Sequence, residues 1–276
     1  MEQKTFALKG NIIYTKERTR FEVMEQGWLV CEEGRVRDVY SVLPEELKGI
    51  PVEDMGDRLI IPGLTDLHIH APQYTFRSLG MDMELLEWLE TNTFPEESKY
   101  KDAEYAKKAY GMFAEQLKKS ATVRACIFGT IHNEATLILM DLLEEAGLHT
   151  MVGKVNMDRN SPDYLCEPSA EASAQATREW LKAVADRKYK HTRPILTPRF
   201  TPSCTDELME LLKEIQTETH LPMQSHLSEN PGEIAWVKEL CPWSEFYGDA
   251  YDKFGLFGGD CPTVMAHCVY SGKEEM

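Results

Sequence analysis

The sequence predicts an α/β protein: a (β/α)8 TIM barrel in residues 61–276, preceded by a small β-rich domain in residues 1–60 that forms part of a β-sandwich. Three observations predict it. Short apolar runs split by turn-like segments fill the first 60 residues. From Leu59 onward such runs alternate with helical patterns, as βα units around a parallel sheet require. Histidines stand at the ends of three of those runs.

In the first part the candidate strands cover residues 6–10, 27–31 and 36–40, separated by charged and Glu-Glu-Gly segments. In the second part six apolar runs qualify as strands: Leu64–His70 and residues 122–130, 150–157, 194–200, 222–226 and 263–270. Helices lie between them. Leu208, Leu211, Leu212 and Ile215 recur at the helical period after Thr205, a candidate cap. Leu137, Leu139, Met140, Leu142 and Leu143 form one wide helical face, closed by Gly147, and Trp180, Leu181 and Val184 mark a further helix. An eight-stranded barrel takes roughly 250 residues by itself, more than remain after the first 60. Ser271 and Glu274 have capping-box spacing with no helix behind them. The expectation is a barrel cut off after its sixth strand.

Composition narrows the function classes. The chain has 276 residues, 42% of them apolar and 28% charged, in the range of ordinary globular proteins. Its net charge of −16 argues against nucleic acid or an anionic membrane as partner. No apolar run reaches the length of a membrane span, and the first residues are too polar for a signal peptide. Seven scattered cysteines without a C-x-x-C pair read as reduced thiols of a cytoplasmic protein.

The chemistry concentrates at strand ends. His68 and His70 close the first barrel strand, and residues two apart in a strand point the same way. The pair therefore projects as a bidentate grip for a transition metal, on the face where barrel active sites lie. Gln224-Ser225-His226-Leu227-Ser228-Glu229 closes the fifth strand and supplies a third imidazole with a carboxylate just beyond it. A Glu beside an activated water serves as a proton shuttle. His267 closes the sixth strand, either as a metal ligand or as an acid that polarises the substrate. His132, just past the second strand, is placed near the pocket. His149, His191 and His220 fall in helix-to-strand connections and read as structural or solvated.

The run Pro62-Gly63-Leu64-Thr65-Asp66-Leu67-His68-Ile69-His70-Ala71-Pro72-Gln73-Tyr74 resembles the amidohydrolase signature in the form seen in guanine deaminases. So do Leu85-Leu86-Glu87-Trp88-Leu89, Thr93-Phe94-Pro95, Val152-Gly153-Lys154-Val155, Thr197-Pro198-Arg199-Phe200 and Gln224-Ser225-His226-Leu227-Ser228-Glu229-Asn230. The H-x-H pair names only the superfamily; the Leu-Glu-Trp-Leu, Pro-Arg-Phe and Ser-His-x-Ser-Glu-Asn segments are more specific. The resemblance implies an amidohydrolase-type barrel that hydrolyses guanine to xanthine and ammonia with one zinc ion. It implies His68, His70 and His226 as metal ligands, Glu229 and His267 as catalytic groups, and Gln73, Arg199 and Phe200 around the purine, with Trp88 as a further stacking candidate. It also implies a homodimer. Physical chemistry is consistent with these roles. Guanine offers a carbonyl and ring nitrogens to a guanidinium fork, and its flat ring suits an aromatic neighbour.

Two features of the family pattern are expected beyond Met276: a His-Cys-Pro-x-Ser-Asn segment and a strand-end Asp that binds the metal or activates its water. Two other readings follow. The chain is a related deaminase acting on another heterocycle, such as a triazine, 8-oxoguanine or cytosine. Or it is a non-catalytic fragment that retains the fold. The cytidine-deaminase signature is absent, which excludes that zinc fold.

Overall fold

Thr5–Glu17 (β1) and Arg20–Glu32 (β2) are rich in β-branched and aromatic residues, and a two-residue turn folds them into a long antiparallel hairpin. Arg35–Tyr40 (β3) adds to the outer edge of β2, and Val52–Ile60 (β4) runs parallel to β1, giving the sheet order β3-β2-β1-β4. Ala7, Val30 and Leu47 form its small core, with Trp28 and Tyr40 packed against them. The computed structural model describes residues 5–276. The chain divides into two units, Met1–Gly63 and Leu64–Met276.

The second unit is built on parallel strands. Leu64–His70 (β5), Thr122–Phe128 (β6), His149–Gly153 (β7), Val155–Asn156 (β8), Thr192–Pro194 (β9), Thr197–Pro198 (β10), Met223–Leu227 (β11) and Thr263–His267 (β12) pair only in parallel. β7 and β8 are two halves of one strand, and so are β9 and β10. Leu196 bridges to Met223, which links them to β11. Six strand positions result, at the six runs expected from the sequence, with β5 at the expected bounds. The third and fourth are broken in the middle, which the apolar runs did not show. The break at Lys154 has a physical cause: its ammonium is fully buried and ion-pairs with Glu167, which also accepts from the Met157 amide and the Ser173 hydroxyl.

The helices are Leu85–Trp88 (α1), Phe94–Ser98 (α2), Ala103–Lys118 (α3), Asn133–Ala146 (α4), Ala170–Arg187 (α5), Asp206–Thr219 (α6), Pro231–Leu240 (α7) and Asp249–Asp252 (α8). The Thr205 hydroxyl accepts from the Leu208 amide at 3.1 Å, and Gly147 ends α4 with a φ of 74°, as the sequence signals implied. A π-helical turn, Leu89–Thr93, separates α1 from α2.

Tyr110, Phe113, Leu139, Met140, Leu143 and Trp180 pack against Ala125, Ile127 and Val152, the helix-facing residues of β6 and β7. Cys126 and Phe128 alternate with Ala125 and Ile127 on the other face of β6. One irregularity aims the site. Between Asp66 and Ile69 the β5–β6 register slips, so that three steps along β5 match two along β6. The Asp66 carboxylate accepts from the His68 amide at 3.1 Å across this bulge. His68 and His70 then both lie against Phe128, with ring centroids 5.1 and 4.4 Å away.

Two glycines test this packing in opposite senses. A Cβ on Gly153 would stand 1.7 Å from Thr197 Oγ1 and 2.8 Å from the Ile195 carbonyl, whereas one on Gly111 within α3 meets nothing within 4 Å. Gly153→Ala is expected to destabilise the fold by about 1–3 kcal/mol through overpacking. Gly111→Ala is expected to stabilise it by up to about 1 kcal/mol through helix propensity. Urea denaturation of both variants checks the pair, and a stable Gly153→Ala contradicts the close approach of β7 and β10.

Candidate active site

At the C-terminal ends of the parallel strands a cavity of 450 Å3 opens, lined by His68, His70, His226, His267 and Glu229 together with Gln73, Trp88, Arg199 and Phe200. All nine site residues expected from the sequence line it. Strand ends place four of them. His68 and His70 close β5, His226 is the fourth residue of β11, and His267 is the last of β12. The β11–β12 register sets His226 opposite Ala266 and Leu227 opposite His267, so the last imidazole is one pair further up. His267 and Cys268 have φ values of 72° and 52°. Backbone held in the left-handed region by non-glycine residues stores strain, and it does so here at the cavity edge.

The imidazoles converge. His70 Nε2 and His226 Nε2 are 3.0 Å apart. Ligating nitrogens of His68, His226 and His267 all lie within 4.8 Å of one another. His267 thus shares a possible ligand group with His68 and His226, a group that does not include His70. The Arg199 carbonyl, 2.6 Å from His226 Nδ1, can only accept, so Nδ1 carries the proton and Nε2 presents its lone pair toward His70. Burial is the main force lowering the pKa of all four. His68 falls to about 4, and His70 and His226 fall well below the usual imidazole range, with the neighbouring imidazoles adding to the effect. All four are neutral near pH 7 and keep lone pairs. His68 Nδ1 and His70 Nδ1 are buried without a hydrogen-bond partner among the described residues. Several neutral imidazoles with converging nitrogens are a donor set that suits a divalent transition metal.

Glu229 follows Ser228, whose φ of 49° turns the chain over the mouth of β11. One carboxylate oxygen lies 3.4 Å from His267 Nε2. Burial raises its pKa to about 7, with help from the nearby Glu233 carboxylate and against the opposing charge of Arg199. A carboxyl poised there exchanges protons readily at neutral pH.

The other wall is planar and cationic. Phe200 is buried and meets Trp236 edge-on, and Trp88 tilts over Phe76 while its Nε1 donates to the Leu79 carbonyl at 3.0 Å. Gln73 lies in the turn Ala71–Phe76 that follows β5. Arg199 differs from the expectation of an open guanidinium fork. Its Nη1 and Nη2 donate to Glu97 Oε2 and Oε1 at 2.5 and 3.2 Å, because a guanidinium this buried requires a counter-charge. Sequence reasoning missed Glu97, Tyr74 and Arg77. Glu97 follows Pro95-Glu96 in a stretch that reads as a solvated turn. Tyr74 and Arg77 line the cavity with their guanidinium and ring 4.2 Å apart. His132 caps α4 and is not among the lining residues. His149 and His191 contact each other at the far ends of β7 and β9, and His220 caps α6.

Residues 59–276 match the sequence model of the Amidohydrolase family. The guanine deaminase of Dictyostelium discoideum is 38% identical over 97% of this chain and 63% of that protein. A crystal structure of guanine deaminase from C. acetobutylicum, with guanine bound in its active site, superposes with a TM-score of 0.93 at 47% identity, over 98% of this chain and 64% of that one. The E. coli guanine deaminase structure gives 0.84 at 34% identity, over 98% and 64%. The chain thus spans a little under two thirds of the length of the relatives it matches.

The purified protein is expected to bind a divalent transition metal at one site, and His68→Ala is expected to lower its content sharply. Elemental analysis after gel filtration measures both, and equal metal in the two proteins contradicts the assignment of these imidazoles.

Proposed function

The chain belongs to the amidohydrolase family, and on that premise we propose that this cavity hydrolyses guanine to xanthine and ammonia. The observation that carries the proposal is the juxtaposition, across one 450 Å3 cavity, of neutral converging imidazoles with a buried arginine and aromatic rings. The first group prepares water for attack and the second holds a flat, acceptor-rich heterocycle. The relatives' names support guanine over other heterocycles.

In this reading His68, His70 and His226 hold one zinc ion, with His267 beside them. Bound there, zinc acts as a Lewis acid that lowers the pKa of water. The remaining work belongs to the chain. Glu229 takes a proton from the attacking water and returns it to the departing nitrogen, and its pKa of about 7 suits both steps. The oxygen of water bonds to the amino-bearing carbon, the carbon–nitrogen bond breaks, and ammonia leaves. His267, 3.4 Å from Glu229, orients that carboxylate and faces the reacting carbon. Arg199 donates to acceptors of the purine, Gln73 supplies a donor and an acceptor, and Phe200 and Trp88 bound the ring plane.

The finer architecture is part of the same reading. The six parallel strand positions are taken as six of the eight of an amidohydrolase (β/α)8 barrel in residues 61–276, and residues 1–60 as part of a β-sandwich. A homodimer in the cytoplasm is included. Seven free cysteines suit a reducing compartment, and among the described residues no helix is long and apolar enough to cross a membrane.

Glu229→Gln is nearly isosteric but carries no proton at neutral pH. It is expected to lower kcat for guanine by about 10²–10⁴-fold while KM changes little. Steady-state kinetics with zinc supplied measure this, and a loss below tenfold assigns the proton transfer to another group.

A further inference from the structure

Resting on the guanine reading, we propose that Glu97 is a positioning residue that selects which edge of Arg199 meets the purine, and so sets specificity for its 6-oxo group. Both side chains are almost fully buried, 1% and 3% exposed. The two carboxylate oxygens each accept from a different terminal nitrogen of Arg199, at 2.5 and 3.2 Å. This end-on grip takes one hydrogen from Nη1 and one from Nη2. A guanidinium has five N–H donors, so the Nε hydrogen and one on each Nη remain. The guanidinium carbon lies over the Phe94 ring, 5.2 Å from its centroid. With that end taken by Glu97, the Nε–Nη edge is the two-donor surface that Arg199 has left. Among the described residues no protein group accepts from Nε, and Arg199 lines the cavity.

Two parallel N–H donors on one edge recognise two adjacent acceptors. Guanine offers such a pair in its 6-oxo oxygen and N7, the edge that arginine reads bidentately in nucleic acids. Rotating the guanidinium by one edge would turn a single Nη toward the purine and lose one of the two bonds. Glu97 prevents that rotation. Its own place is fixed by its helix. The adjacent Glu96 accepts from Thr75 Oγ1 at 2.7 Å and from Lys99 Nζ at 2.6 Å, and also from the Tyr105 hydroxyl. Thr75 belongs to the turn that carries Gln73. The short helix α2 thus anchors two polar contacts of the cavity from neighbouring residues. It follows directly on the π-helical turn Leu89–Thr93, a local change of helical pitch next to the site.

The test compares guanine with 2-aminopurine, which has the same ring and amino group but no 6-oxo acceptor. Glu97→Gln replaces one carboxylate oxygen with an NH2 group that repels an Nη hydrogen and so turns the guanidinium. In the zinc-supplied protein it is expected to raise KM for guanine about tenfold or more. kcat is expected to stay within about threefold and metal content to stay unchanged. The inhibition constant of 2-aminopurine is expected to move by less than about twofold. Arg199→Met should weaken guanine similarly, and adding Glu97→Gln to it should change nothing further, because Glu97 acts through Arg199. If Glu97→Gln fails to fold, the paired variant Glu97→Met with Arg199→Met removes both charges together, and it should match Arg199→Met alone. Equal weakening of guanine and 2-aminopurine, or effects of the two positions that add, would overturn the proposal. An Arg199→Met variant with unchanged KM for guanine would instead contradict the guanine reading of the cavity, and this inference with it.

Discussion

The site depends on Arg199 being held at both of its polar ends. Its main-chain carbonyl lies 2.6 Å from His226 Nδ1 and fixes the tautomer that turns Nε2 toward His70. The same carbonyl accepts from Ser225 Oγ at 3.2 Å, tying the end of β10 to β11. Its side chain, on the cavity wall, is locked by Glu97 and Phe94. In the proposed reading, one residue thereby couples the orientation of a metal-binding imidazole to the geometry of substrate recognition. Neither coupling survives a shift of the β10–β11 strand ends, and Tyr251 reinforces them. Its hydroxyl meets Ser225 Oγ at 2.9 Å, donates to the His226 carbonyl at 2.8 Å, and accepts from the Thr201 amide at 3.2 Å.

Electrostatics divides the cavity in two. Burial keeps the four imidazoles neutral, which preserves their lone pairs but makes a cluster with no net charge of its own. Arg199 adds a positive charge nearby, and unopposed it would repel a bound cation. Glu97 neutralises it within a bidentate pair, so the recognition wall can be cationic in its hydrogen bonding without being cationic overall. Glu229 lies 3.4 Å from His267, and burial and Glu233 hold its proton more tightly than in a free carboxyl, with Arg199 opposing them. In the proposed reading, lone-pair donors and hydrogen-bond donors in one small cavity serve a water molecule and a heterocycle together.

Much of this was legible in the sequence, for definite reasons. Parallel strands buried on both faces read as apolar runs, and a polar residue at the end of such a run has few structural excuses, so His68, His70, His226 and His267 stood out. Thr205 and Gly147 were legible because caps are local chemistry. What was hidden is long-range. Glu97 is 102 residues from Arg199, and nothing around it marks it as buried. The bulge between Asp66 and Ile69 changes the register without changing the alternation that places His68 beside His70. The break at Lys154 goes with a buried ion pair, and the one at Ile195–Leu196 lies close against Gly153, where only a glycine fits; both depend on partners elsewhere in the chain.

The reaction proposed for this cavity turns guanine and water into xanthine and ammonia. The most direct measurement supplies the purified protein with zinc and guanine and quantifies both products over time. Xanthine and ammonia are expected in a one-to-one ratio, with both lost when the metal is chelated and restored when zinc is returned. A protein that holds the metal and binds guanine yet forms neither product would contradict it.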